Sequence, residues 1–192
     1  AAPSCTPPSG GMCEEARFDA FKHGWFGPVE QARRAAQVGL AWVPTIIAYT
    51  YAYVYLAARQ NETPQNSTAR TSMQHLAWFE AARNAYRDNF KTLYDTGINV
   101  CCGTDMVLLG APTVPVNREL QYMVEYGISP VQAIATATGN CAKALDMVGE
   151  IGALAPGAWA DILVVSGDAS KDIKALNGML EVFIEGQSAS KI

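Results

Sequence analysis

Ile98-Asn99-Val100-Cys101-Cys102-Gly103-Thr104-Asp105 is a short, mostly apolar run that ends in a lone carboxylate. It follows a long helical pattern that stops at Gly97, so the run reads as a buried strand, and Gly-Thr-Asp marks where that strand leaves its sheet. In parallel α/β architectures, chemistry sits at that end of the strands. Asp105 is therefore the leading catalytic candidate. Only two histidines, His23 and His75, accompany it, so a metal site around Asp105 is short of ligands from this chain alone.

Upstream, Ser72 to Thr96 sets Leu76, Phe79, Ala82, Tyr86, Phe90 and Leu93 at helical spacing. Gln60 to Thr71 is a polar loop and a candidate lid over a pocket. Leu40 to Ala48 is β-branched and aromatic, starts after Gly39, and reads as a buried strand despite Pro44. Beyond it Tyr49, Tyr51, Tyr53 and Tyr55 alternate, which makes Tyr49 a candidate substrate-binding residue; a core or interface stripe is the alternative. Val29 to Gln37 is an Ala-rich helix entered through Pro28. Glu14 to Lys22 is helical in spacing, yet Phe18 to Lys22 could equally be a strand leading into His23-Gly24.

Downstream, Met106 to Val116 reads as a loop, Asn117 to Tyr126 as a helix stopped by Gly127, and Ser129-Pro130 as the cap of a helix running to about Leu145. After Gly149, Ile151 to Leu154, Ala160 to Val165 and Leu180 to Glu185 read as short strands around glycine-containing turns. The expected organisation is an irregular tail over 1–12, an α/β body over 13–149 and a small β unit over 150–192.

With 192 residues, 49% hydrophobic and 17% charged, the chain can bury one real core. A formal net charge of −4 without a Lys/Arg cluster argues against nucleic acid or an anionic membrane as partner. The best apolar stretch, Leu40 to Ala57, is broken by Pro44 and is not expected to span a bilayer. A small-molecule substrate is the expected partner. The five cysteines, Cys5, Cys13, Cys101, Cys102 and Cys141, lack CxxC spacing, which favours a reduced, cytoplasmic setting. A Cys5–Cys13 disulfide in a secreted or periplasmic protein is the alternative, and the Asn-x-Ser/Thr triplets at Asn61 and Asn66 carry meaning only there.

The order of the signals resembles a known family. His23-Gly24, Val43-Pro44-Thr45, Gly103-Thr104-Asp105, Ala135-Thr136-Ala137-Thr138 and Ile151-Gly152-Ala153-Leu154-Ala155-Pro156-Gly157 through Ala160-Asp161-Ile162 look like the C-terminal part of a metal-dependent amidohydrolase. The prolidase-like and imidazolonepropionase-like branch is the most similar, and the resemblance runs from about Cys13 onward. It implies an α/β fold: a partial (β/α)₈ TIM-like barrel, about the last three strands and their helices, plus a small C-terminal β-sandwich segment. It also implies that His23, like the family's sixth-strand histidine, and Asp105, like its eighth-strand aspartate, are ligands of a divalent metal, with zinc expected. Asp105 would in addition take a proton from the metal's water.

The family's first-strand His-x-His pair, its bridging group and its fifth-strand histidine have no counterpart here. Three parallel strands cannot close a barrel, so a homo-oligomer or a complementary N-terminal fragment is the expected partner. Cys101 shares strand parity with Asp105 and is conceivable as a thiolate ligand, although a small buried hydrophobe is the simpler reading; Cys102 should face the other way. His75, Glu119 and Asp161 read as structural, Glu119 through the dipole of the helix it opens.

The implied activity is hydrolysis of amide, peptide or ester bonds by metal-activated water. The alternative is a non-catalytic remnant or assembly module that completes its sheet by self-association. A metal-independent esterase would need a nucleophile elbow, and no Gly-x-Ser-x-Gly is present.

Overall fold

Three short strands form the sheet from which the site grows. The computed structural model describes residues 20–23, 28–58, 75–105 and 116–189. Strands β1 (Ala20–Lys22), β2 (Ala41–Val43) and β3 (Asn99–Val100) pair in parallel in the order β1-β2-β3. Helix α1 (Val29–Gln37) connects β1 to β2, while α2 (Ile46–Ala58) and α3 (Leu76–Tyr94) lie between β2 and β3. This order of parallel strands and crossover helices is consistent with a partial TIM-like barrel. The strand alternative for Phe18 to Lys22 is the one observed, over its described residues.

Helix α3 forms where its apolar spacing predicted, burying Phe79, Ala82, Tyr86, Phe90 and Leu93 on one face. Trp42 of β2 is fully buried against that face, with ring centroids 5.8 Å from Phe90 and 6.5 Å from Tyr86. Helix α2 is apolar on nearly all sides; its first turn, Ala52 and Leu56 are buried, Val54 is exposed, and it packs most extensively on α3. Burial of this aromatic and aliphatic cluster is the main force holding the helices to the sheet.

The expected strand over Leu40 to Ala48 is a correction. Only Ala41–Val43 are strand, and from Ile46 the chain is helical. Pro44 has no amide to continue a ladder, and its carbonyl is taken by the Tyr86 hydroxyl. Thr45 then turns the chain with φ of 56°. Apolar content alone did not separate a buried strand from a buried helix here. With a helical period, Tyr49, Tyr51, Tyr53 and Tyr55 do not share one face as expected: Tyr51 and Tyr55 stack on each other at 6.0 Å, while Tyr49 turns into the core.

Helix α4 (Val116–Glu125) follows, and α5 (Pro130–Ala137) opens with the expected cap. The Ser129 hydroxyl accepts from Gln132 N at 3.3 Å, and the Gln132 side chain accepts from Ser129 N at 2.8 Å. The helix does not run on to Leu145. It breaks at Thr138, whose φ and ψ are −127° and −102°, and restarts as α6 (Gly139–Ala144).

The C-terminal unit is an antiparallel sheet of β4 (Ile162–Val165), β5 (Met179–Ile184) and β6 (Gln187–Ser188). Ile151 contributes a single bridge to Val148 in place of the strand expected over Ile151 to Leu154. Among the described residues this is one sheet, without a second layer to make a sandwich. Asp161 serves the fold as expected, accepting from Glu185 N at 2.8 Å. The 1–12 tail, the Gln60 to Thr71 loop, the Cys5–Cys13 pair, the Asn61 and Asn66 triplets and most of the Met106 to Val116 loop lie outside the described residues. Among the described residues no helix is long and apolar enough to cross a membrane.

Candidate active site at the strand ends

The three parallel strands release the chain on one side of the sheet, and each exit carries a non-glycine residue in the left-handed region. These are His23 at φ 67°, Thr45 at φ 56° and Asp105 at φ 46°. Such conformations are uncommon for residues with a Cβ, and they persist where surrounding contacts over-determine them. The His23 amide, following β1, donates to Val43 O at 3.0 Å, and the Cys101 amide, following β3, donates to Trp42 O at 2.8 Å. The ladder thus reaches almost to the turns and fixes where the side chains emerge.

His23 and Asp105 are brought together across β2. His23 Nε2 lies 3.5 Å from Asp105 Oδ2, with side chains 20% and 38% exposed. The separation exceeds a good hydrogen bond, yet two protein ligands on a tetrahedral zinc at about 2.0 to 2.2 Å stand about 3.4 Å apart. The two donors therefore fit a shared divalent ion. Among the described residues no group of three or more His, Cys, Asp or Glu side chains is arranged to hold a metal. Burial lowers the His23 pKa, opposed by the nearby Asp105 carboxylate and reinforced by Lys22. A neutral imidazole is the form that ligates a cation.

The other imidazole nitrogen is also held. His23 Nδ1 lies 2.8 Å from Thr45 Oγ1, and the Thr45 hydroxyl lies 2.6 Å from the Pro44 carbonyl oxygen. Trp42 Nε1 donates to the His23 carbonyl. The Tyr49 ring stands edge-on to the imidazole at 5.4 Å and is itself buried among Trp78, Phe79 and Tyr86. Its described position is a wall behind His23.

Glu119 is the residue whose role the sequence concealed. Its side chain is fully buried, and instead of serving its own helix it serves α2. Oε1 accepts from Ile46 N at 2.8 Å and Oε2 from Ile47 N at 2.7 Å. Burial pushes its carboxyl up to about 8, although the two amides pull the other way. Thr45 was visible only as part of a motif, since a hydroxyl acting on a histidine 22 residues away leaves no local pattern.

Cys101 is buried, with Sγ 3.4 Å from the Asn140 carbonyl on α6; the regular strand ends at Val100, so the parity expected with Asp105 does not carry beyond it. His75 sits exposed at the start of α3.

The chain is similar in sequence and fold to known proteins. An adenine deaminase of Mesorhizobium japonicum is 36% identical over 75 residues, which are 39% of this chain and 11% of that one. A crystal structure of an amidohydrolase superposes with a TM-score of 0.79 at 26% identity, covering 95% of this chain and 42% of the other. A Xaa-Pro dipeptidase with bound methionine gives a TM-score of 0.75 at 26% identity, covering 93% of this chain and 41% of the other. The chain thus spans less than half the length of these solved proteins. The model of the Amidohydrolase family matches residues 26–189, most of the chain, and the chain belongs to that family.

Proposed function

We propose that this chain contributes His23 and Asp105 to the metal centre of a hydrolase of amide or peptide bonds. The observation that carries the reading is the His23 Nε2 to Asp105 Oδ2 separation of 3.5 Å at the ends of parallel strands. Its family membership supports a hydrolase, and the similar Xaa-Pro dipeptidase supports dipeptides as the substrates to test first.

A divalent ion, with zinc the first candidate, would supply Lewis acidity and lower the pKa of a water to about 7. Asp105, part-exposed and facing the imidazole, would accept the proton released in attack and return it to the leaving amine. His23, kept neutral by burial, offers Nε2 on the same side. Tyr49 would back the imidazole and, with Trp78, form an aromatic wall beside the substrate.

Leu154, Leu163, Met179 and Leu180 are each at least half exposed on the C-terminal unit. Exposed apolar surface of this kind supports further polypeptide, either a complementary fragment or a second copy, as the cover of that unit. The test is metal content and intact mass of the purified chain, followed by Xaa-Pro dipeptide hydrolysis before and after chelation. Bound zinc and activity abolished by chelation are expected. Hydrolysis that survives complete metal removal would overturn the reading.

A further inference from the structure

Thr45 Oγ1 lies 2.6 Å from the Pro44 carbonyl oxygen and 2.8 Å from His23 Nδ1, with the Tyr86 hydroxyl as a further neighbour. A threonine hydroxyl has one proton to give, and a carbonyl oxygen has none. The oxygen–oxygen contact at 2.6 Å is therefore attractive only with the threonine proton on that line. With that proton committed, the contact at 2.8 Å is attractive only if Nδ1 carries a proton and donates it to Oγ1. The Tyr86 hydroxyl also donates to Pro44 O, and a carbonyl with two lone pairs takes both donors.

Helix capping does not account for this threonine. Of the first amides of α2, Ile46 N and Ile47 N are taken by Glu119, and Ala48 N bonds the Thr45 carbonyl at 3.1 Å. A β-branched side chain at φ 56° is strained, and the strain is held by Glu119 on one side of the turn and Tyr86 on the other. What this turn achieves is to bring Oγ1 to the imidazole.

We propose that Thr45 is a positioning residue that selects the Nδ1-protonated tautomer of His23, leaving the Nε2 lone pair free on the side of Asp105. The lone pair is what a cation would use, so the proposal builds on the reading of His23 as a ligand. The tautomer itself exists without metal and can be measured without it.

Imidazole nitrogen shifts of the full chain, labelled with ¹⁵N-histidine and kept metal-free, report the tautomer directly. With two histidines in the sequence, the His75→Gln variant assigns the remaining signals to His23. The wild-type chain is expected to show the Nδ1–H form. Thr45→Val, which keeps the branched shape and removes the hydroxyl, is expected to shift the ring towards Nε2–H, and Thr45→Ser to restore Nδ1–H. Zinc titration by calorimetry is expected to show about 10- to 100-fold weaker binding for Thr45→Val, restored by Thr45→Ser.

An Nε2–H wild type, or a folded Thr45→Val chain with the wild-type tautomer, overturns the proposal. If Thr45→Val does not fold, the wild-type and Thr45→Ser spectra decide, since Nε2–H in either one overturns it. An Nδ1–H chain that binds no zinc supports the role of Thr45 and removes instead the reading that this chain binds metal by itself.

Discussion

Glu119 of α4 accepts from the amide of Ile46 at the start of α2 at 2.8 Å, a bond between residues 73 positions apart. Its second oxygen takes Ile47 N, so one buried carboxylate closes the N-terminus of a helix whose preceding Thr45 turns its hydroxyl to Pro44 O and His23 instead. Glu119→Ala leaves both amides buried without a partner and opens a cavity. A loss of about 2 to 5 kcal/mol is expected, read as a lower urea midpoint at constant slope.

The same group makes stability depend on pH. Burial raises the Glu119 carboxyl from the usual 4.5 to about 8 in the folded chain. Between those values the folded state binds more protons than the unfolded state, so this group's contribution is largest at low pH and is lost as pH rises through that window, by about 1.4 kcal/mol per unit of difference. Urea unfolding at pH 5 and pH 8 checks the sign. Glu119→Gln should flatten the dependence, and an equally steep profile in that variant would assign it to another group.

Gly103 has no room for a side chain. A Cβ there would stand 2.6 Å from Val43 Cγ1, where β2 and the segment after β3 approach each other. Gly103→Ala must turn the Val43 side chain aside or part the strand ends that carry Thr45 and Asp105. An expected cost of about 1 to 3 kcal/mol should come with a larger proportional loss of zinc affinity, because the displacement falls between the two halves of the site. Thermal melts paired with metal titration would expose a purely global effect as an unchanged affinity in the folded fraction.

Asp105→Asn separates chemistry from folding. The Asp105 side chain is 38% exposed, so the change should alter stability by no more than about 0.5 kcal/mol. On the proposed mechanism, hydrolysis should fall by about 10² to 10⁴. Steady-state rates on the fully assembled enzyme decide it, and a variant with wild-type turnover would remove Asp105 from the reaction.

The three described cysteines should react in order. The Cys101 thiol is hydrogen-bonded to Cys141, which holds the Cys141 pKa below its usual value, while that bond and burial push Cys101 up and burial pushes Cys102 up. Brief iodoacetamide treatment near neutral pH should label Cys141 before the other two. Cys101→Ala should slow that labelling. Peptide mapping by mass spectrometry reads both, and equal labelling of the three would contradict this ordering.

Much of this was legible in the sequence because the signals are local. The α3 face is a periodic set of side chains, the Ser129-Pro130 cap is a four-residue pattern, and the Gly103-Thr104-Asp105 exit follows an apolar run. Leu40 to Ala48 misled because enclosure on every side makes both strands and helices uniformly apolar, erasing the period that distinguishes them. Glu119 misled because a carboxylate near the start of a helix has an ordinary local explanation. Nothing in its own neighbourhood says that it turns inward to another helix.

The sequence by itself determined which segments bury their faces and that a Gly-Thr-Asp exit follows the third strand, since each depends on composition and spacing within about a dozen residues. Only the tertiary structure decided that the two side chains meet across β2, that Thr45 holds the second nitrogen of His23, and that Glu119 closes α2. Those relations join residues 22 to 82 positions apart, and they exist only once parallel pairing has set the strand exits side by side and core packing has fixed the helices behind them.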